Sequence, residues 1–466
     1  MSADAVRRAL LATAFACVLA PLASPAAAQN ESVAFAQGRS IDAMPAVLPP
    51  RARPDVINRM LEERLETLLP ALMRETGIDM WLVINREYNE DPVFFTLAPA
   101  PVHAARRTTM LVFFDRGPEL GVERLSVNRY PFGRLYEPAW QGGDLEEQWR
   151  GLAAVIAERD PRRIGIDVSP HWPVADGLSA ALRDRLEAEL SPELRRRLVS
   201  AEELAVRWLE SRAPRELEVY PQIVAIARRV IAEAFSNEVI VPGVTTTADV
   251  AWYIAERFAG LGLDIWFQPS VNAQRPGEPC ERETPFCGRE GDFVIRRGDV
   301  LHTDVGICYL RLCTDTQEMG YVLRAGEDAV PDVLVRALAQ GNRWQDILTG
   351  EFRTGRSGNE ILAATIALSA DEGISSTTYT HPLGFFGHAP GPTIGMWDNQ
   401  GPTAVQGDFE LHPGTVFSIE GNVRMPLETW GGQYVVIKLE QDALFSKDGE
   451  PMRYLAGRQV VWHVVH

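Results

Sequence analysis

Apolar and polar positions divide the chain into two stretches of different rhythm. Over 56–76, Leu61, Leu65, Leu68, Leu69 and Leu72 recur at spacings of three and four, which predicts an amphipathic helix. Short apolar runs at 80–84, 110–114 and 164–168 read as strands, and helical patterns at 145–158 and 178–190 lie between and after them. Strands alternating with helices predict an α/β domain over 55–205. The second stretch, 206–466, opens with a long helical pattern over 215–235, closed by the turn Val241-Pro242-Gly243. Thr246, with Asp249 three residues on, caps a second helix that ends near Leu261. Beyond it the pattern is mostly strands and turns, with one further helix predicted over 359–371.

Ahead of these stretches, Pro45, Pro49, Pro50 and Pro54 make 29–54 an extended leader. Arg7 and Arg8 precede an apolar run over 9–22 and the small residues Ala26-Ala27-Ala28, the plan of a signal peptide over 1–28. Export, to a bacterial periplasm, is the expectation; Cys17 opens the alternative of a lipoprotein anchor. No later stretch approaches the roughly 20 apolar residues of a spanning helix, so no integral membrane segment is expected after cleavage. At 466 residues two domains are the natural prior, and a net charge of −17 argues against nucleic acid or an anionic membrane as main partner.

Export changes the meaning of the cysteines. Cys280, Cys287, Cys308 and Cys313 are an even number in an oxidising compartment, and of three pairings the local one, Cys280 with Cys287 and Cys308 with Cys313, is simplest. A zinc site is the rival, but no Cys-x-x-Cys pair occurs.

Four segments carry candidate chemistry. In LHTDVGICYLRLCTDTQ, Asp304 and Asp315 lie eleven residues apart across a turn-prone 309–312, so a hairpin would bring two carboxylates together. Such a pair ionises cheaply only with a cation between. THPLGFFGHAPGPTIG places His381 and His388 among glycines that let backbone approach a site. LHPGTVFSIEGN is a turn and a strand leading to Glu420. In QYVVIKLEQDALF, Glu440 interrupts an apolar strand with Lys438 on the same face.

Asp304, Asp315, His381, Glu420 and Glu440, in that order and each in its local frame, resemble the pita-bread metallopeptidases: methionine aminopeptidase, aminopeptidase P, prolidase and, without metals, creatinase. The resemblance covers roughly 215–466. Residues 55–205 more loosely resemble the N-terminal domain of aminopeptidase P, prolidase and creatinase, which favours the proline-directed branch. It implies a creatinase-like α/β domain followed by an α+β pita-bread domain, and a peptidase acting on short peptides with two divalent cations: manganese, cobalt, zinc or iron. Asp304 would hold one cation, His381 and Glu420 the other, and Asp315 and Glu440 would bridge them. Glu420 would carry a proton to the leaving nitrogen, and His388 would hydrogen-bond the substrate carbonyl.

Departures from the pattern fall around the pocket. A histidine usual some 17–18 residues before the first aspartate is missing, so Gln274, Arg275 or His302 is expected beside the substrate. Ala389 follows the second histidine in place of an acid, and Thr316-Gln317 stands where Thr-Arg is common. A creatinase-like C–N hydrolase and a non-catalytic binding protein of the same fold are the alternatives; retention of all five ligand types counts against both. The N-terminal domain often joins dimer contacts in such proteins, which leaves a homodimer open.

Overall fold

The structure is a computed structural model describing residues 43–278 and 292–466. The signal segment, Cys17, the start of the leader, and Cys280 with Cys287 lie outside the described residues.

Helix α1 (Arg53–Glu63) runs through a π-helical turn, Arg64–Leu68, into α2 (Leu69–Glu75). The first sheet collects β1 (Met80–Arg86), β2 (Thr108–Asp115), β3 (Val122–Asn128), β4 (Glu137–Pro138), β5 (Ile164–Ile166) and β6 (Leu198–Ser200) in the order β4-β3-β2-β1-β5-β6. β1 reads as an unbroken apolar run because it is buried on both faces. Trp81 and Val83 pack toward α1, α2 and α5 (Glu202–Glu210), while Met80, Leu82 and Ile84 pack toward α3 (Leu145–Arg159) and α4 (Ala180–Glu189). Helix α5 runs through residue 205 and stays with the core of the first sheet.

Helices α6 (Pro214–Ala234) and α7 (Thr247–Gly260) follow, the latter with the Thr246–Asp249 capping box that its sequence predicts. After β7 (Asp264–Ile265) and β8 (Ser270–Gln274) come β9 (Val300–Val305), β10 (Ile307–Tyr309), β11 (Leu312–Cys313) and β12 (Thr316–Val322). The remaining strands are β13 (Ser375–Thr378), β14 (His381–Leu383), β15 (Thr415–Pro426), β16 (Tyr434–Phe445), β17 (Arg453–Tyr454) and β18 (His463–Val465). The main path of the large sheet is β13-β15-β16-β12-β9-β8, with β14 on β15, β17 on β16 and β18 on β12.

Two helices pack on this sheet after β12, where the sequence predicts one. Helix α8 (Asp332–Gly350) is the addition; α9 (Gly358–Asp371) matches the expected helix. The seam of α8, Leu334, Ala337, Leu338, Trp344, Ile347 and Leu348, is interrupted by Gly341, Asn342 and the buried Gln345, residues that weaken a helical pattern. Gly341 is there for closeness: a Cβ on it would sit 2.9 Å from Leu439 Cδ1 of β16.

Strands β15 and β16 alternate cleanly. Phe417, Ile419, Val423, Ile437 and Leu439 join the core beneath α8 and α9, so Ser418, Glu420, Asn422, Lys438, Glu440 and Asp442 share the opposite face. That face carries the chemistry.

Cys308 and Cys313 stand opposite each other in the β10–β11 hairpin and form a disulfide. The hairpin tip reaches the N-terminal part of the chain: the Tyr309 hydroxyl accepts from Leu48 N at 2.8 Å, and Arg311 donates to Ala98 O at 2.5 Å.

Candidate metal centre

Sheet register assembles the site. Ser270, Asp304, Gln317, Glu440 and Glu420 are successive cross-strand neighbours on β8, β9, β12, β16 and β15, and so form one row across the sheet. Asp315 lies two residues before Gln317, its N–H donating to Asp442 Oδ1 at 3.3 Å. His381 on β14 pairs with Ser418, two residues from Glu420. Residues from Ser270 to Glu440, far apart in sequence, thus meet on a single face.

His381 is buried, and its Nδ1 lies 3.1 Å from Pro382 O, which as an acceptor places the ring proton on Nδ1. Nε2 then presents a lone pair to Asp315 Oδ2 at 3.8 Å, Glu420 Oε2 at 3.9 Å and Glu440 Oε1 at 4.0 Å. Burial, with His388 adding to it, lowers the His381 pKa to about 3, so a proton on Nε2 does not relieve this arrangement. Burial also pushes Asp304, Asp315, Glu420 and Asp442 well above the usual carboxylate range, and the charge of Glu440 adds to the shift of the first three. Glu440 is itself raised to about 7 by burial.

A neutral imidazole lone pair facing three acidic groups is repulsive as it stands and favourable around a cation. Among the described residues His381 Nε2 and Asp304 Oδ1 are buried without a hydrogen-bond partner. His381, Glu420 and Glu440 form one set of donor atoms within 4.8 Å of one another, and Asp304, Asp315 and Glu440 form another, overlapping at Glu440. The donor chemistry therefore fits two divalent cations, with Glu440 common to both donor sets.

His388 is half exposed, with Nε2 4.0 Å from Asp315 Oδ2. Its ring packs against His381, Trp266 and Tyr379 at centroid distances of 4.6, 5.0 and 5.9 Å. The glycine at 387 serves this contact, since a Cβ there would lie 2.1 Å from the Trp266 ring. Trp397 lines a 40 Å³ cavity beside Asp304 and Glu420, together with Asn272, His302, Gln317, Tyr379 and Lys438. Phe385 and Phe386 pack on the core of the first sheet.

The side chains of the three expected substrate contacts are engaged within the protein. The Gln274 side chain both donates to Val436 O (2.7 Å) and accepts from Val436 N (2.8 Å), and Arg275 pairs with Asp299 at 2.6 Å. His302 faces the cavity, but both ring nitrogens are taken, Nδ1 by Asn272 at 3.2 Å and Nε2 by Gln317 at 2.7 Å. Tyr379 and Gln317 complete the surroundings of the carboxylates; neither stood out as a site residue in the sequence, where Gln317 was visible only as a departure.

Residues 219–447 match the model of metallopeptidase family M24. No curated protein matches the chain. Among solved structures, an X-Pro aminopeptidase from Thermotoga maritima superposes with a TM-score of 0.60 at 18% identity, covering 85% of this chain and 100% of that one. A Xaa-Pro dipeptidase from Bacillus anthracis gives 0.57 at 16%, covering 88% and 100%. A prolidase from Pyrococcus furiosus gives 0.52 at 15%, covering 83% and 98%. At such identities the likeness carries the fold, an N-terminal α/β domain followed by a pita-bread domain.

Proposed function

We propose that this chain, an M24 metallopeptidase over residues 219–447, is an exported enzyme that hydrolyses short peptides with proline at the second position, as an aminopeptidase or dipeptidase. The observation that carries the reading is the row of carboxylates converging on a neutral, unpartnered His381 Nε2. The names of the structural neighbours support the proline preference. Export rests on the amino-terminal pattern, and the Cys308–Cys313 disulfide fits an oxidising compartment.

Asp304, Asp315, His381, Glu420 and Glu440 would hold the two cations. When bound, these supply Lewis acidity toward the scissile carbonyl and a water activated for attack. Glu420, which like Asp304 joins the row and lines the cavity, and which also faces His381, would take a proton from the attacking water and deliver it to the leaving nitrogen. His388, open to solvent on one side, donates to the substrate carbonyl as negative charge grows there. Trp266, against the His388 ring, restricts where that donor points.

The test is hydrolysis by the mature protein, stripped of metal and reloaded with manganese, cobalt or zinc, against peptides with and without proline second. Metal-dependent cleavage confined to the proline peptides is the expected result. Stoichiometric metal uptake without cleavage of any peptide would turn the reading toward a binding protein, and absence of uptake would remove it. For His388→Ala we expect kcat to fall about 10²–10³-fold with metal content unchanged. Loss of an equivalent of metal in that variant would instead make His388 a ligand.

A further inference from the structure

The hydrolytic scheme leaves one buried chain of hydrogen bonds without a task. Gln317 stands in the cross-strand row between Asp304 and Glu440. Its Nε2 donates both hydrogens to the cage, one to Glu420 Oε1 and one to Glu440 Oε2, each at 2.7 Å. Behind it, Gln317 Oε1 meets His302 Nε2, and His302 Nδ1 meets the Asn272 side-chain amide. Asn272, His302, Gln317 and Glu440 are all at least nine-tenths buried, so none of these groups exchanges its partner for bulk water.

The directions in this chain follow from the chemistry of the groups. An –NH₂ only donates, so His302 Nδ1 accepts from Asn272 and the ring proton sits on Nε2. That proton needs an acceptor, which fixes Gln317 Oε1 toward His302 and Nε2 toward the carboxylates. Turning the Gln317 amide over would set its oxygen against two acidic oxygens and its –NH₂ against a donor. All donors therefore point one way, from Asn272 through His302 and Gln317 into the cage, and each polarises the next. Two carboxylates that repel each other are held by one fixed pair of N–H bonds. Ser418 Oγ donates to the other oxygen of Glu440.

We propose that Gln317 is a positioning residue for cation uptake: it holds Glu420 and Glu440 in the arrangement the cations require, and His302 and Asn272 act through it. The inference rests on the two-cation reading of the site. Outer partners that orient metal ligands commonly matter by about 10–100-fold in affinity or activity.

The experiment is calorimetric titration of manganese(II) into the metal-stripped mature protein, for the wild type, Gln317→Met, His302→Leu and the double variant. Thermal unfolding of each metal-free protein is recorded beside it to register folding. Each single variant is expected to bind manganese about 10–100-fold more weakly. The double variant should match Gln317→Met within about threefold, because His302 has nothing to act through once the amide is gone. A residue that merely fills space would not show that coupling. Should Gln317→Met fail to fold, Asn272→Ala, at the far end of the chain, takes its place and is expected to weaken binding by about tenfold.

Single variants that bind manganese as the wild type does, or losses that multiply in the double variant, overturn the inference. A wild-type protein that binds no manganese removes the two-cation reading and this inference together. A wild type that binds two ions and cleaves peptide, with affinity indifferent to position 317, removes this inference alone.

Discussion

Glu420→Gln is expected to leave the protein folded and to lower peptide turnover by up to about 10⁴-fold, the upper range for loss of a general acid–base group. The substitution keeps the shape of the side chain and leaves an amide oxygen able to accept from Gln317. It removes the carboxylate that faces both His381 and the cavity. An amide neither takes a proton from water at neutral pH nor returns one to a leaving nitrogen, so kcat should carry most of the loss. Stability should move the other way in the metal-free protein. Burial, Glu440 and Asp304 disfavour ionisation of Glu420, so a neutral isostere there is expected to raise Tm. Steady-state assays with saturating manganese, metal counting and a metal-free melt check the three parts together. Turnover above about a tenth of wild type would mean that the proton is carried by another group.

Much of the fold was legible, because alternation and helical spacing are local signals. The α/β order of the first domain and the long helix α6 follow from them, and the capping box opening α7 was written in Thr246 and Asp249. Helix α8 was missed because its interior carries Gly341, Asn342 and Gln345, chosen for close packing and for a hydrogen bond to Gln441 at 2.7 Å, at the expense of helical pattern. Order and local frame single out the five acidic and imidazole residues in the sequence, and the sheet register brings them together on one face.

Register over long separations is not a local signal. Gln274 lies on the same face of β8 as Asn272 and Ser270, yet two places beyond Asn272, opposite Val300, and its amide is spent on the backbone of Val436. Nothing local in sequence states which residue of β8 stands beside which residue of β9, some thirty positions later. Over short separations the information was present. With Tyr309 opposite Leu312, antiparallel counting puts Cys308 opposite Cys313 and Asp304 opposite Gln317. The same hairpin that brings Asp304 and Asp315 together thus makes them diagonal neighbours and gives the central place to Gln317.

Removing the cations is expected to make the fold alkali-sensitive. Asp304, Asp315, Glu420 and Asp442 have carboxyl pKa values held well above the ordinary range, and Glu440 is raised to about 7, burial being the first cause in each. A carboxyl whose folded pKa exceeds its unfolded value contributes its stability in full below the unfolded value, about 4, and loses it as pH rises through the folded one. Metal-free protein should therefore melt progressively lower between about pH 5 and pH 8. Cations bound by the same oxygens replace the protons and release them, so the loaded protein should resist that fall. At a free manganese concentration 100 times Kd, each such site adds about 2.7 kcal/mol. A second buried acidic pair complicates a single curve: burial raises Asp91 to about 6 and pushes Asp167 well above its usual range, both near the first sheet and remote from the cage. Their contribution has the same sign but is indifferent to manganese, so it cancels between stripped and loaded protein. The informative quantity is the difference in Tm between the two forms, which should widen with pH across this window. A difference that stays constant would mean that the carboxylates of the row are ionised throughout and that protons do not compete for the site.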